Sequence, residues 1–349
     1  MSISTETFSW LPEALDPVAL RLARADAFAF EIGDLATKWS LDGPLDFEQV
    51  RRDGLAQMVV KSLRPVPPEA SLLFSEAVNH LRAAVDNVIW YIVEQEHGSI
   101  AGPMAAMVNM PIVESQEALD KWLGRRNKIP AFGPETRLGR RLRALQPFVD
   151  VQSSVPSMGE VLAAIMSLDV ESAHPLRLLQ AYSNADKHRS IRVAAGRTFS
   201  SWDAIPLAGQ DLAPRELKVG DPLGRPSPWG QLSIVETNTA VMVQRPGPFS
   251  TWVNPVKELN AMRRHISQVV VPMLLTGLEM PKGLPPSIET GDSGKTSRER
   301  LISGEWDDAE ARLIPLMRTR FQEAEKRGVQ FAPVVDDSGS VTKPEAVGP

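Results

Sequence analysis

Hydrophobic residues between 71 and 95 recur at steps of three and four, and the run contains neither glycine nor proline. Six apolar side chains share this spacing: Phe74, Val78, Leu81, Val85, Val88 and Ile92. Such a period is typical of a helix with one face in a hydrophobic core. We therefore predict a long buried helix over 71–95 around which the other elements pack.

The same period predicts further helices over 12–38, 173–188 and 255–275, the first ending near Gly33, and two short helices within 116–146. Alternation of apolar and polar residues predicts strands at 47–51 and 57–63, joined by a turn at Asp53-Gly54, and at 191–199, 217–221 and 231–244. The expected fold class is α+β, mainly a helical bundle with a small antiparallel β-sheet.

The pattern also predicts the domain organisation. Residues 1–280 are expected to form the helical-bundle domain, with the small sheet at about 191–245. Residues 281–300 are rich in Pro, Gly and Ser and predict a flexible linker, followed by a charged helix over 301–327 and a disordered tail over 328–349. The helix has a narrow apolar seam: Trp306, Leu313, Met317 and Phe321. We expect it to be separable and to offer a surface for a homo-oligomer or a protein partner.

Composition narrows the class of protein. The chain has 349 residues, of which 43% are hydrophobic and 23% charged, as in an ordinary globular protein. No apolar run is long enough to span a membrane, and the first residues do not resemble a secretion signal, so we expect a cytoplasmic protein without a membrane partner. The absence of cysteine excludes disulfides, thiolate metal sites and a cysteine nucleophile.

Two polar clusters interrupt otherwise apolar helices. The first contains His80, Arg82 and Asp86, and the second follows about a hundred residues later, as Asn184, Asp186, Lys187, His188 and Arg189. Because buried charges need partners, we expect the two helices to pack side by side, with Arg82 or Asp86 reaching the second cluster. The pair Arg82 and Asp86, four residues apart, also fits an intrahelical ion pair with a purely structural role.

The functional interpretation assigns chemistry to four of these residues. Arg82, His80, Asp86 and His188 are the candidate catalytic residues, since a guanidinium binds phosphate as a fork and histidine transfers protons near neutral pH. Glu76, His80, Asp186 and His188 also offer ligands for a metal site in a helical bundle, but Glu76 and His80 are four residues apart and so lack the Glu-x-x-His spacing of such sites. No metal and no cofactor is therefore predicted. The segment 291–297 lacks the first glycine of a phosphate loop.

A basic stretch supplies the candidate nucleic-acid-binding residues. Between Lys121 and Arg143 the chain has eight basic residues and one acid, Glu135. The candidates are Lys121, Arg125, Arg126, Lys128, Arg137, Arg140 and Arg141, together with Lys187 and Arg189. Trp122 lies among them, and basic residues with interspersed aromatic side chains are typical of RNA-binding surfaces. Alternatively, this basic stretch is only the solvent-exposed face of a helix, with no ligand.

Several strings resemble a known group. N-H-L-R-A-A-V-D-N at 79–87, followed by A-L-Q-P-F, H-P-L-R-L-L and S-N-A-D-K-H-R, is similar to uncharacterised bacterial and phage proteins that have an H-N-L-R-S-A-L-D-H-like helix and a later D-K-H-R segment. The resemblance covers roughly 55–195 and implies a bacterial or phage origin. The group has no assigned function.

An arginine followed by four residues and a histidine also resembles the signature of HEPN-type helical bundles, many of which are metal-independent endoribonucleases or toxins. Here Asn87 replaces that histidine. The resemblance implies an intracellular HEPN-like protein that binds RNA or a nucleotide, and that is a weak or inactive endoribonuclease. The alternative is a non-catalytic protein-interaction or self-assembly module, and the sequence leaves open whether the chain is an enzyme.

Overall fold

A computed structural model describes residues 8–188, 190–202, 213–228, 235–326, 334–335 and 341–342. These residues combine helices with small antiparallel sheets, so a mixed fold of helices and strands is confirmed. The α-helices in the described part are α1 (Asp16–Leu41), α2 (Glu69–His97), α3 (Gln116–Gly124), α4 (Arg137–Ala144), α5 (Glu160–Met166), α6 (Pro175–His188), α7 (Pro255–His265), α8 (Val271–Thr276), α9 (Ser297–Ile302) and α10 (Ala309–Lys326).

Helix α2 is the predicted central helix. Its apolar stripe is fully buried at Phe74, Val78, Leu81, Val85 and Val88 and packs against α1, α6 and α7. Burying one such side chain contributes about 1.5–3 kcal/mol, so this stripe dominates the packing of the helix. Ile92, the last predicted member, is only half-buried.

Helix α1 passes through Gly33 instead of ending there. A Cβ atom at Gly33 would lie 2.2 Å from Leu313 Cδ1 and 3.1 Å from Val256 Cγ2. The glycine therefore provides room for α7 and α10 against α1. Gly33 therefore serves close packing between helices. The prediction that α1 ends near Gly33 is wrong because it treats glycine as a helix stop signal.

The first sheet has the predicted hairpin at its centre. Strands β1 (Leu45–Arg52) and β2 (Leu55–Leu63) pair antiparallel, with Leu45 opposite Leu63. The turn residues Asp53 and Gly54 have φ values of 51° and 76°, the left-handed conformation that this type of turn requires. Strand β7 (Pro222–Pro228) pairs with β2 and completes three strands.

The second sheet joins the predicted strand pair near 191–199 and 231–244. Its order is β6-β5-β8-β9, where β5 is Val193–Trp202, β6 Arg215–Glu216, β8 Val235–Gln244 and β9 Trp252–Val253. The strand predicted at 217–221 is wrong, since these residues form the turn between β6 and β7. Two short pairs complete the strands: β3 (Val155–Pro156) with β4 (Ser172–Ala173), and β10 (Val334–Val335) with β11 (Val341–Thr342).

The region predicted as one helix over 255–275 is divided by a π-turn at Ile266–Val270. Pro272 lacks an N–H, and its ring would collide with the carbonyl of Gln268 in a regular helix. In the structure the Gln268 carbonyl instead accepts a hydrogen bond from the backbone N–H of Met280, at 2.8 Å. The wider turn therefore follows from the position of Pro272.

The packing contradicts two predictions, a flexible linker over 281–300 and a separable helix over 301–327. Leu284 and Ile288 lie in the main core, as do Leu301 of α9 and Leu313 of α10. Helix α10 packs along α1, so the apolar seam expected to bind a partner contacts the same chain. Most of the predicted tail, and Arg189, lie outside the described residues.

Charged contacts reinforce this attachment. The carboxylate of Asp26, buried on α1, pairs with Arg312 of α10 and accepts a hydrogen bond from the Ala309 N–H at 3.0 Å. Arg298 of α9 pairs with Asp16 at 2.7 Å. The polar composition of the segment predicts a loose attachment, whereas three of its arginines, Arg298, Arg312 and Arg320, pair with carboxylates of α1.

Candidate functional site

Arg82 and Asp86 lie in a hydrogen-bonded group between α2 and α6, which we call the α2–α6 cluster. Arg82 Nε donates to Asp86 Oδ2 at 3.0 Å, Nη1 to Gln180 Oε1 at 3.1 Å and Nη2 to the Met110 carbonyl at 2.8 Å. Asp86 Oδ1 accepts from the Met110 N–H at 2.8 Å. Each of the three guanidinium nitrogens already donates one hydrogen bond, so a phosphate at Arg82 would compete with partners that are in place.

The two polar clusters meet, but through other residues than expected. Asp186 of α6 accepts hydrogen bonds from Ser75 Oγ at 2.5 Å and from Asn79 Nδ2 at 3.1 Å. Arg82 stops at Gln180, whose Nε2 donates to Asn184 Oδ1 at 2.7 Å. The predicted side-by-side packing of the two helices is therefore confirmed. The prediction that Arg82 or Asp86 directly contacts the second cluster is wrong.

His80 does not belong to this cluster. Two residues along a helix correspond to a rotation of about 200°, so His80 and Arg82 lie on opposite sides of α2. The His80 ring lies 5.7 Å from the Phe28 ring of α1, and its buried Nδ1 has no hydrogen-bond partner in the described part of the chain. Burial, together with the charges of Arg21 and Arg24, lowers the pKa of His80.

Asn87 shares the α1 side of α2 with His80. With its amide oriented to satisfy both groups, the oxygen accepts from Arg21 Nε and the nitrogen donates to the Ala83 carbonyl, each at 3.2 Å. The position that carries histidine in the HEPN-type signature therefore contacts α1. His188 is exposed at the end of α6. The structure does not bring the four candidate catalytic residues together.

The candidate nucleic-acid-binding residues divide into two groups. Arg126, Arg140 and Arg141 have structural contacts. The guanidinium of Arg126 stacks 3.7 Å from the Trp122 ring centre and donates to the Met107 carbonyl. Arg140 donates to the Glu135 carbonyl, and Arg141 donates to the Leu274 and Leu275 carbonyls. Burial lowers the pKa of Arg126 and of Arg141.

The second group remains exposed to solvent. Lys121, Arg125, Lys128 and Arg137 are exposed, and none of their side chains has a hydrogen bond or ion pair within the described residues. We call these four residues the basic surface. They belong to one compact unit, because the Trp122 and Phe132 rings meet edge to face at 5.0 Å and Arg143 of α4 donates to Gln116 of α3. Lys187 is also exposed, on α6.

A further polar cluster was not predicted. Asp150 Oδ2 lies 3.2 Å from His174 Nε2, and the His174 and His265 rings meet edge to face at 5.2 Å. Burial lowers the pKa of His265 to about 4 and also lowers that of His174. Three residues separated by up to 115 positions in sequence have no spacing motif, so only the tertiary structure reveals them.

The comparisons leave the family of this chain open. No family model, curated protein or solved structure matches it. Within the described residues, no helix combines the length and the apolar character needed to cross a membrane.

Proposed function

We propose that this chain is a non-catalytic binding module for RNA or another polyphosphate, built on a HEPN-like helical bundle. The observation that carries the proposal is the basic surface: Lys121, Arg125, Lys128 and Arg137 are exposed and unpaired within the described residues. Exposed cations without acidic partners can neutralise phosphates and release their counterions, which favours association.

The geometry of the polar clusters supports a binding role over a catalytic one. A metal-independent ribonuclease needs a phosphate-binding cation and a proton carrier within reach of the same nucleotide. Arg82 has all its nitrogens bonded, and His80 faces α1 on the other side of the helix. The α2–α6 cluster then stabilises the bundle, and the basic surface binds the ligand.

The pairing of every Arg82 nitrogen also favours a second candidate function, a non-catalytic module that binds a protein or another copy of the chain. In that case the basic surface would contact acidic side chains in place of phosphates. The two functions differ in their salt dependence, because binding to a nucleic acid releases condensed counterions in proportion to the phosphates contacted.

The experiment measures binding of a fluorescent single-stranded RNA at several salt concentrations. Arg125→Gln/Arg137→Gln is compared with Arg318→Gln/Lys326→Gln, a control that removes two exposed cations from α10. We expect weaker binding and a salt slope lower by about 1.4 in the first variant, since each contact to single-stranded RNA contributes about 0.7. Equal binding by the two variants, or no binding by the wild type, contradicts the proposal.

A further inference from the structure

We propose that Asp150, His174 and His265 form a binding site for a divalent transition-metal ion, with Zn²⁺ as the best match. This inference is independent of RNA binding by the basic surface. Each of the three residues offers one ligand atom, and these atoms all lie within 4.8 Å of one another. The sequence predicts no metal, and the cluster shares no residue with the group of possible ligands around His80.

Three separate elements position the ligands. Asp150 lies in the loop after α4, His174 directly precedes α6, and His265 is the last residue of α7, immediately before the π-turn. The 3.2 Å between Asp150 Oδ2 and His174 Nε2 is close to the separation of about 3.4 Å expected for two ligands at about 2.1 Å from one tetrahedral zinc ion. The ligand atom of His265 lies within 4.8 Å of the other two, so an approach of up to about 1.4 Å would complete three-ligand coordination.

The second observation is a buried ring nitrogen without a partner. His265 is 7% exposed, and its Nε2 has no hydrogen bond within the described residues. A buried polar atom without a partner is destabilising, and such an atom in a folded protein calls for an explanation such as an ion or water. A metal ion next to His174 and Asp150 would supply the missing partner.

The donor set selects the class of ion. Two imidazoles and one carboxylate suit Zn²⁺, Fe²⁺, Co²⁺ and related ions, whereas Ca²⁺ and Mg²⁺ prefer oxygen ligands alone. The chain has no cysteine that could compete with these ligands. The side chain of Asp150 is the most exposed of the three, at 17%, so the ion would enter, and a water ligand would bind, from its side.

Hydrogen bonds of the metal-free site limit its affinity. His174 Nδ1 accepts a hydrogen bond from the Leu176 N–H at 3.1 Å, so Nε2 carries the proton and donates it to Asp150. On coordination through Nε2 the proton moves to Nδ1, and the Leu176 N–H then needs another acceptor. We therefore expect weaker binding than at a preformed structural zinc site.

The test is calorimetric titration of the full chain, first freed of metal with a chelator, with Zn²⁺, and a parallel titration with Co²⁺ followed by visible absorption. We expect one ion per chain and at least tenfold weaker binding in Asp150→Asn and in His265→Gln. His188→Gln is the matched control because it removes an exposed histidine outside the cluster.

Two outcomes overturn the inference. One is the absence of a saturable site in the wild type, and the other is equal affinity in all variants, which would identify binding elsewhere on the surface. Circular dichroism spectra of each variant establish that it is folded, and Asp150→Asn keeps the shape of the side chain, so the test does not depend on His265→Gln alone. Zn²⁺ should also raise the melting temperature of the wild type more than that of Asp150→Asn, because it binds only the folded state.

Discussion

The buried pair of Arg245 and Glu258 should contribute to stability in a strongly non-additive way. Arg245 is 1% exposed, and its Nε and Nη2 donate to the two carboxylate oxygens of Glu258 at 2.9 Å each. Arg245 also donates to the carbonyls of Glu171 and Val155, and Tyr182 donates its hydroxyl to Glu258. Burial raises the pKa of Glu258, and the bond to Arg245 opposes this rise.

Glu258→Ala should therefore lower the free energy of unfolding by about 3–5 kcal/mol, because the buried guanidinium keeps only the Glu171 carboxylate, 3.5 Å from Nη1, as a counter-charge. Replacing the whole group, as Arg245→Met, Glu258→Leu and Tyr182→Phe, should cost less than the single change. Well-packed apolar side chains can substitute for a buried ion pair without net loss.

The assay is urea unfolding followed by far-UV circular dichroism, with the unfolding slope compared among variants. Natural domains are stable by about 5–15 kcal/mol, so the expected loss is well within range. A cost below about 1 kcal/mol for Glu258→Ala, or a triple variant whose cost equals the sum of its single changes, would refute the reasoning.

Three further predictions concern the C-terminal segment, the α2–α6 cluster and His80. Ending the chain after Met280 should lower the melting temperature strongly, since Leu284, Leu301 and Leu313 together contribute about 4.5–9 kcal/mol; an unchanged melting temperature would contradict the packing on α1. Asp86→Ala should cost about 1–3 kcal/mol in urea unfolding, because Arg82 keeps two other partners while the Met110 N–H loses its acceptor, and a neutral result would contradict this. The pKa of His80 in the folded chain is below its ordinary 6.5, so the unfolded chain binds the proton more tightly and stability is lost as pH falls below about 6.5. The free energy of unfolding should therefore depend less on pH in His80→Gln than in His188→Gln, and an equal pH dependence in the two variants would contradict this.

The spacing of residues close in sequence predicted the helices and strands better than it predicted the tertiary contacts between them. The spacing of apolar residues located α2, and Asp53-Gly54 located the hairpin, because both depend on residues close in sequence. Gly33 was misread because its packing against Leu313 involves a residue 280 positions away. Leu284 was missed because a polar, proline-rich composition hides a single buried side chain.

The candidate site shows the same limit. The Arg82–Asp86 pair was predicted from spacing, and helical geometry alone would have placed His80 on the opposite face from Arg82. The partners Gln180 and Met110 could not be predicted, since their approach depends on how α6 and the loop before α3 pack against α2. Likewise, no local pattern relates Asp150 to His265.

The central claim is that the chain binds RNA without cleaving it. The most direct measurement incubates wild-type protein with labelled single-stranded RNA in EDTA and divides each sample between a native and a denaturing gel. Wild type, His80→Ala and His188→Ala should all shift the RNA on the native gel and leave it intact on the denaturing gel. Cleavage by the wild type that is lost in either histidine variant would contradict the account, and the absence of any shift would favour a protein partner instead.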